Sequence, residues 1–78
     1  MRMKNESITM SVDGLSCGGG GSLMVERALA RTAGVVYVYV NPTIEMVYIR
    51  YDPALVDPDR LTQVVEQAGF QAGVPRLR

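Results

Sequence analysis

Polar and apolar residues alternate over residues 7–12 (Ser7, Ile8, Thr9, Met10, Ser11, Val12), the two-residue period of a strand with one buried face. Asp13-Gly14 is a turn signal. Four consecutive glycines at 18–21 then predict a loop, because glycine inside a helix or strand carries a large entropic cost. Ser22 reads as the N-cap of a first helix reaching about residue 33, with Leu23, Met24, Val25, Ala28 and Leu29 as its apolar stripe. Glu26, Arg27 and Arg31 face water in that reading, and Gly34 suits the left-handed position that ends a helix. The β-branched and aromatic run at 35–40 predicts a strong strand. Asn41-Pro42-Thr43 turns the chain, and residues 44–51 form the second arm of a hairpin. Asp57 and Pro58 supply the cap and first-turn proline of a second helix to Ala68, in which Leu61, Val64, Val65 and Ala68 recur at helical spacing. Gly69 closes that helix. Residues 70–74 form a short last strand, stopped by Pro75, and residues 1–6 and 76–78 read as tails.

The predicted order, β-α-β-β-α-β, implies an α/β (α+β) ferredoxin-like sandwich: a four-stranded antiparallel sheet, strand order 4-1-3-2, with both helices on one face. The inward strand positions are then Ile8, Met10 and Val12; Val36, Val38 and Val40; Val47 and Ile49. At 78 residues the chain is expected to be one domain, with an ordered core over about residues 7–74.

Composition narrows the function. Eight basic and eight acidic residues cancel, which argues against nucleic acid as the main partner. The longest apolar run is six residues, far short of a membrane span, so no direct membrane contact is expected. The first seven residues are polar and show no secretory signal. One cysteine cannot close an internal disulfide, and the absence of histidine removes the commonest general base and any histidine-bearing triad. An enzyme is not expected.

Gly14-Leu15-Ser16-Cys17 is a Gly-hydrophobic-Ser-Cys motif. With Val25-Glu26-x-Ala28-Leu29, Gly34-Val35-x-x-Val38-x-Val40-Asn41, Tyr51-Asp52-Pro53 and Ala68-Gly69-Phe70, it resembles the heavy-metal-associated domain family over residues 7 to about 74. That family includes copper chaperones, N-terminal metal-binding domains of copper-transporting P-type ATPases and mercuric-ion binding proteins. The resemblance implies a metal loop made of Gly14, Leu15, Ser16, Cys17, Gly18, Gly19, Gly20, Gly21 and Ser22, with Cys17 as the metal ligand and Phe70 beneath it. The implied function is binding and transfer of a soft metal in the cytoplasm. Cu(I) comes first, with Zn, Cd, Hg or Ag as other soft cargoes. The implied partner is a copper chaperone or copper-transporting ATPase domain, met by thiolate exchange. The loop departs from the family's Cys-x-x-Cys: Gly20 stands at the second cysteine position, Leu15 replaces the usual Met, and one extra residue separates Cys17 from Val25-Glu26. A degenerate loop of this kind implies weak metal binding by one chain, or a metal bridged between two chains. Gly18-Gly19-Gly20-Gly21-Ser22 also spells a common synthetic linker unit, so native divergence, a replaced cysteine and an engineered loop all remain open.

A reading from another class rests on the opposite strand parity. Tyr37, Tyr39, Met46 and Tyr48 fall on the open face of the predicted sheet, with Arg50 continuing it. They either stabilise a two-sided sheet through cross-strand pairs or form a docking surface of a metal-free interaction or regulatory module. RNA-recognition domains share the element order, but the first strand offers only Ser7, Thr9 and Ser11 to that face and no aromatic for base stacking. The glycine run lacks the Lys-Ser/Thr pair of a phosphate-binding loop. Met24 is expected in the core rather than as a thioether ligand.

Overall fold

The computed structural model describes residues 5–15 and 20–77 of the 78-residue chain. The elements run β1 (Glu6–Asp13), α1 (Gly21–Ala30), β2 (Val35–Asn41), β3 (Met46–Tyr51), α2 (Pro58–Gln67), β4 (Gln71–Ala72) and β5 (Arg76–Leu77). The sheet order is β2-β3-β1-β4, antiparallel throughout, with β5 also pairing β1. This is the predicted ferredoxin-like sandwich.

Register follows hydrophobic parity. Ile8 faces Ile49 and Met10 faces Val47 across β1 and β3, while Val38 and Val40 face the same two residues from β2. These inward positions meet Val25 and Leu29 of α1 and Leu61, Val64 and Val65 of α2 in one core. A one-residue slip would expose the whole set, so burial on one side of the sheet selects this pairing. The second helix starts as its sequence dictates. Asp57 caps it by accepting a hydrogen bond from the Arg60 amide at 2.8 Å, with proline in the first turn. Gly69 follows the Ala68 C-cap with φ 99°, the left-handed conformation predicted for helix closure, whereas Gly34, also left-handed at φ 95°, lies past the Arg31 C-cap in the turn into β2.

Several expectations need correction. Val36 is 54% exposed, because the β2–β3 register shifts between Val35 and Tyr37 and one residue is left over. Val35 pairs with buried Tyr51 and takes the inward position. Leu23 and Met24 are exposed and the stripe of α1 narrows to Val25 and Leu29, with Ala28 partly buried; α1 is also shorter than predicted, ending at Ala30. Ser22 does not cap α1: the N-cap position is Gly20, no side chain caps the helix, and Gly21 is already helical. β3 starts at Met46, since Ile44 and Glu45 belong to the turn and Ile44 lies 62% exposed. The last strand is split, not continuous over 70–74. Ala72 pairs with Val12 and Gln71 with Asp13, the Gly73 amide still donates to the Ser11 carbonyl at 2.7 Å, residues 74–75 lie outside the strands, and Arg76–Leu77, expected as tail, pairs with Thr9 and Ile8.

Candidate functional site

The site sits where β1 hands over to α1. β1 ends at Asp13, and Gly14 follows with φ 96°. That angle redirects the chain at a position where a side chain would be strained. Leu15 then drops into the core, 2% exposed, and anchors the first half of the loop from below. Ser16, Cys17, Gly18 and Gly19, the implied ligand among them, lie outside the described residues. Gly20 is again left-handed with φ 92°, and its carbonyl accepts the Met24 amide at 2.9 Å to begin α1.

Both ends of this loop rest on one aromatic ring. A Cβ built on Gly14 would lie 3.5 Å from Phe70 Cδ1, and one built on Gly21 would lie 3.3 Å from Phe70 Cζ. At Gly21 a side chain would crowd the ring, whereas at Gly14 it would make ordinary contact and the positive φ is what favours glycine. The half-buried Phe70, whose amide donates to the Val65 carbonyl of α2 at 3.3 Å, thus links α2 to the turn after β1 and to the start of α1. At Gly20 a Cβ would meet nothing within 4 Å, so space is open there even though the backbone angle disfavours a side chain.

Glu45, unforeseen from the sequence, is the loop's other support. Its carbonyl accepts the Val12 amide at 2.9 Å, and its carboxylate accepts the Gly14 amide at 3.2 Å. It does this with φ 54°, the one positive value at a non-glycine residue among those described. The β2–β3 turn is thereby bound to the segment that opens the loop. No local sequence signal marks this role: only the pairing of β3 with β1 brings a residue 31 positions away to Gly14.

The second candidate, the open face, also assembles. Tyr39 faces Tyr48, Tyr37 faces Arg50 and Asn41 faces Met46, so the four predicted side chains share one face. Tyr37 and Tyr39 are each 53% exposed, while Met46 and Tyr48 are half-buried. Tyr37 and Tyr48 meet edge to face at 6.1 Å, and the Tyr48 hydroxyl donates to Ser7 Oγ at 3.0 Å. Tyr48 thus belongs partly to the sheet's own packing, and Tyr37 and Tyr39 carry the exposed area.

No protein-family model matches the chain. It is 42% identical over 67 residues to a probable copper-transporting ATPase, SynA, of Synechococcus, a match covering 85% of this chain but 8% of that protein. Its fold superposes on the copper binding domain of HMA7, a P-type ATPase, with a TM-score of 0.87 and 29% identity, covering 94% of this chain and 97% of that one. It superposes likewise on the N-terminal domain of PacS from Synechocystis, with a TM-score of 0.74 and 30% identity over 92% of this chain and 96% of that one. The motifs around Gly14, the sheet order and these likenesses over nearly whole chains agree: the chain belongs to the heavy-metal-associated (HMA) domain family.

Proposed function

We propose that this domain binds a soft metal ion, Cu(I) first, and passes it to a partner, with Cys17 as the one thiolate the chain itself supplies. The observation that carries this reading is the support under the loop: Gly14 and Gly21, on either side of Cys17 in sequence, are held against the same Phe70 ring. A soft thiolate favours Cu(I) over hard cations. Copper is the cargo here. An incoming thiolate forms a new sulfur–copper bond as an existing one breaks, and the ion keeps its charge. The partner is a cysteine-bearing copper chaperone or copper-transporting ATPase domain in the cytoplasm, and the domain itself catalyses no reaction. Among the described residues no helix is long and apolar enough to cross a membrane.

Gly20 at the second ligand position makes one chain a one-thiolate site. Monomeric affinity is then weak, and a second ligand comes from another chain's Cys17, a small thiol or the partner. The test is an anaerobic Cu(I) titration against a colorimetric chelator, with Cys17→Ser alongside and size-exclusion chromatography with and without the metal. Competition for copper that disappears with Cys17→Ser supports the reading, and a copper-dependent dimer locates the second ligand on another chain. If neither protein competes, the loop holds no metal.

A metal-free interaction module is the second reading. It is favoured by the exposed area at Tyr37 and Tyr39, on a face covered by no element among the described residues. It predicts partner binding that Tyr39→Ser abolishes and Cys17→Ser leaves unchanged.

A further inference from the structure

The sheet has two edges, and their chemistry differs. The edge formed by β4 and β5 is interrupted between Ala72 and Arg76, contains Pro75, which has no amide to donate, and carries the charged Arg76. Breaks, proline and charge are features that keep an edge from pairing with another chain. The opposite edge, β2, has neither proline nor charge: Val35–Asn41 reads VVYVYVN. Its one irregularity lies at its start, between Val35 and Tyr37. Among the described residues no element pairs with its outer side.

β2 is also where the core stops short. On the inner strands Ile8 and Met10 are 1% exposed and Val47 and Ile49 0%, whereas Val38 and Val40 of β2 pack on the same core and stay partly open. On the other face Tyr37 and Tyr39 are exposed, and Val36 lies exposed at the register shift. Apolar surface is thus left open along this edge on both faces of the sheet. Residues 36–40, Val-Tyr-Val-Tyr-Val, read the same in both directions about Val38. Antiparallel pairing of two such strands about a two-fold axis at Val38 sets Tyr37 against Tyr39 of a second copy and Val38 against Val38. Aromatic then meets aromatic on the open face, valine meets valine on the helix face, and no charge on either strand opposes a like charge.

We propose that β2 is the pairing edge of a homodimer: two copies join β2 to β2 antiparallel, which continues the sheet across the two-fold axis and completes the cover over Val38 and Val40. The proposal deepens the interaction-module reading and rests on that reading's exposed tyrosines; it names a second copy as the partner and the strand edge, not the face, as the contact. Self-complementarity selects this occupant. A charged partner finds no counter-charge on β2, and a neutral chain does not repel its own copy. The pairing uses no metal and no part of the loop. Seven residues make a short edge, while a standard interface buries about 800 Å² on each partner, so the dimer is weak and concentration-dependent.

The test is sedimentation equilibrium of the reduced, chelator-treated protein from micromolar to millimolar concentration, with amide hydrogen exchange at both ends of that range. The expected result is a mass that rises from 8.5 kDa toward twice that value, with exchange slowed at high concentration in the amides of β2. Tyr39→Lys, at an exposed position, should weaken association about tenfold or more. Thr9→Lys puts the same charge on the same face two strands away and should leave association unchanged, as should Cys17→Ser. Circular dichroism spectra confirm that both lysine variants fold. A chain that stays monomeric at millimolar concentration overturns the pairing, and partner binding lost with Tyr39→Ser would then still support the wider interaction-module reading. Equal weakening by Thr9→Lys, the mark of open faces stacking, or loss of the dimer with Cys17→Ser, the mark of a bridge through the loop, would overturn it as well.

Discussion

Gly20 and Glu45 show how single positions condition the loop. Gly20 is left-handed, and a side chain there costs roughly 1–2 kcal/mol in backbone strain, yet a Cβ would meet no neighbour. Gly20→Cys should therefore fold with slightly reduced stability and hold Cu(I) far more tightly than the parent, by restoring a second thiolate. A chelator competition read beside a denaturant melt checks both effects, and an unchanged affinity would show that the lengthened loop itself keeps the two sulfurs apart. Glu45→Ala removes the acceptor for the Gly14 amide and should cost about 1 kcal/mol, while Glu45→Gln, which keeps a carbonyl acceptor, should cost less. Urea melts of the pair decide it; equal losses would mean that the positive φ, not the carboxylate, sets the turn. Cys17 and the glycines stood out as a candidate site through the family resemblance of the Gly14-Leu15-Ser16-Cys17 motif. Glu45 did not, because its partner lies 31 residues away and is reached only after β3 pairs with β1.

At the level of the elements, helices and strands announced themselves wherever burial is one-sided. The stripe Leu61, Val64 and Val65 of α2 is buried as its spacing required, and Asp57 caps the helix. Asp57→Ala should cost about 1 kcal/mol, visible as an earlier thermal midpoint. In β2 the alternation misled, because strict parity has no room for an extra residue. The irregularity after Val35 turns Val36 outward, so Val36→Thr should be within about 0.5 kcal/mol of neutral, whereas Val38→Thr should cost more than 1 kcal/mol. Equal losses in equilibrium unfolding would contradict this register. For α1 the stripe predicted from Leu23 and Met24 failed because α1 meets the core through Val25 and Leu29, with Ala28 partly buried beside them, while Leu23 and Met24 lie exposed.

Across the whole molecule, β1 is the strand with the most partners: it pairs with β3, β4 and β5. Tyr51, at the end of β3, is 1% exposed and reaches Glu6 at the start of β1. Burial first, and the neighbouring Glu6 carboxylate second, raise its pKa above the ordinary 10.0. A phenol held neutral in the folded state contributes stability that is complete below pH 10.0 and is lost as pH rises through the raised folded value. Stability should be insensitive to this group below that pH and then fall by at most about 1.4 kcal/mol per pH unit. Tyr51→Phe should flatten that alkaline limb in pH-resolved denaturant melts; an unchanged limb would assign it to other groups.

The sequence by itself determined the order of the elements, the ferredoxin-like architecture, the inward parity of β1 and β3, and the cap of α2. Each rests on periodicity, turn chemistry or a motif, and all of these act over a few residues. Only the tertiary structure decided that Phe70 lies under both ends of the loop, that Glu45 holds Gly14, that Val35 replaces Val36 inside, and that Arg76–Leu77 joins the sheet. These depend on contacts between residues far apart in the chain, whose meeting is set by sheet register and helix packing rather than by local preference.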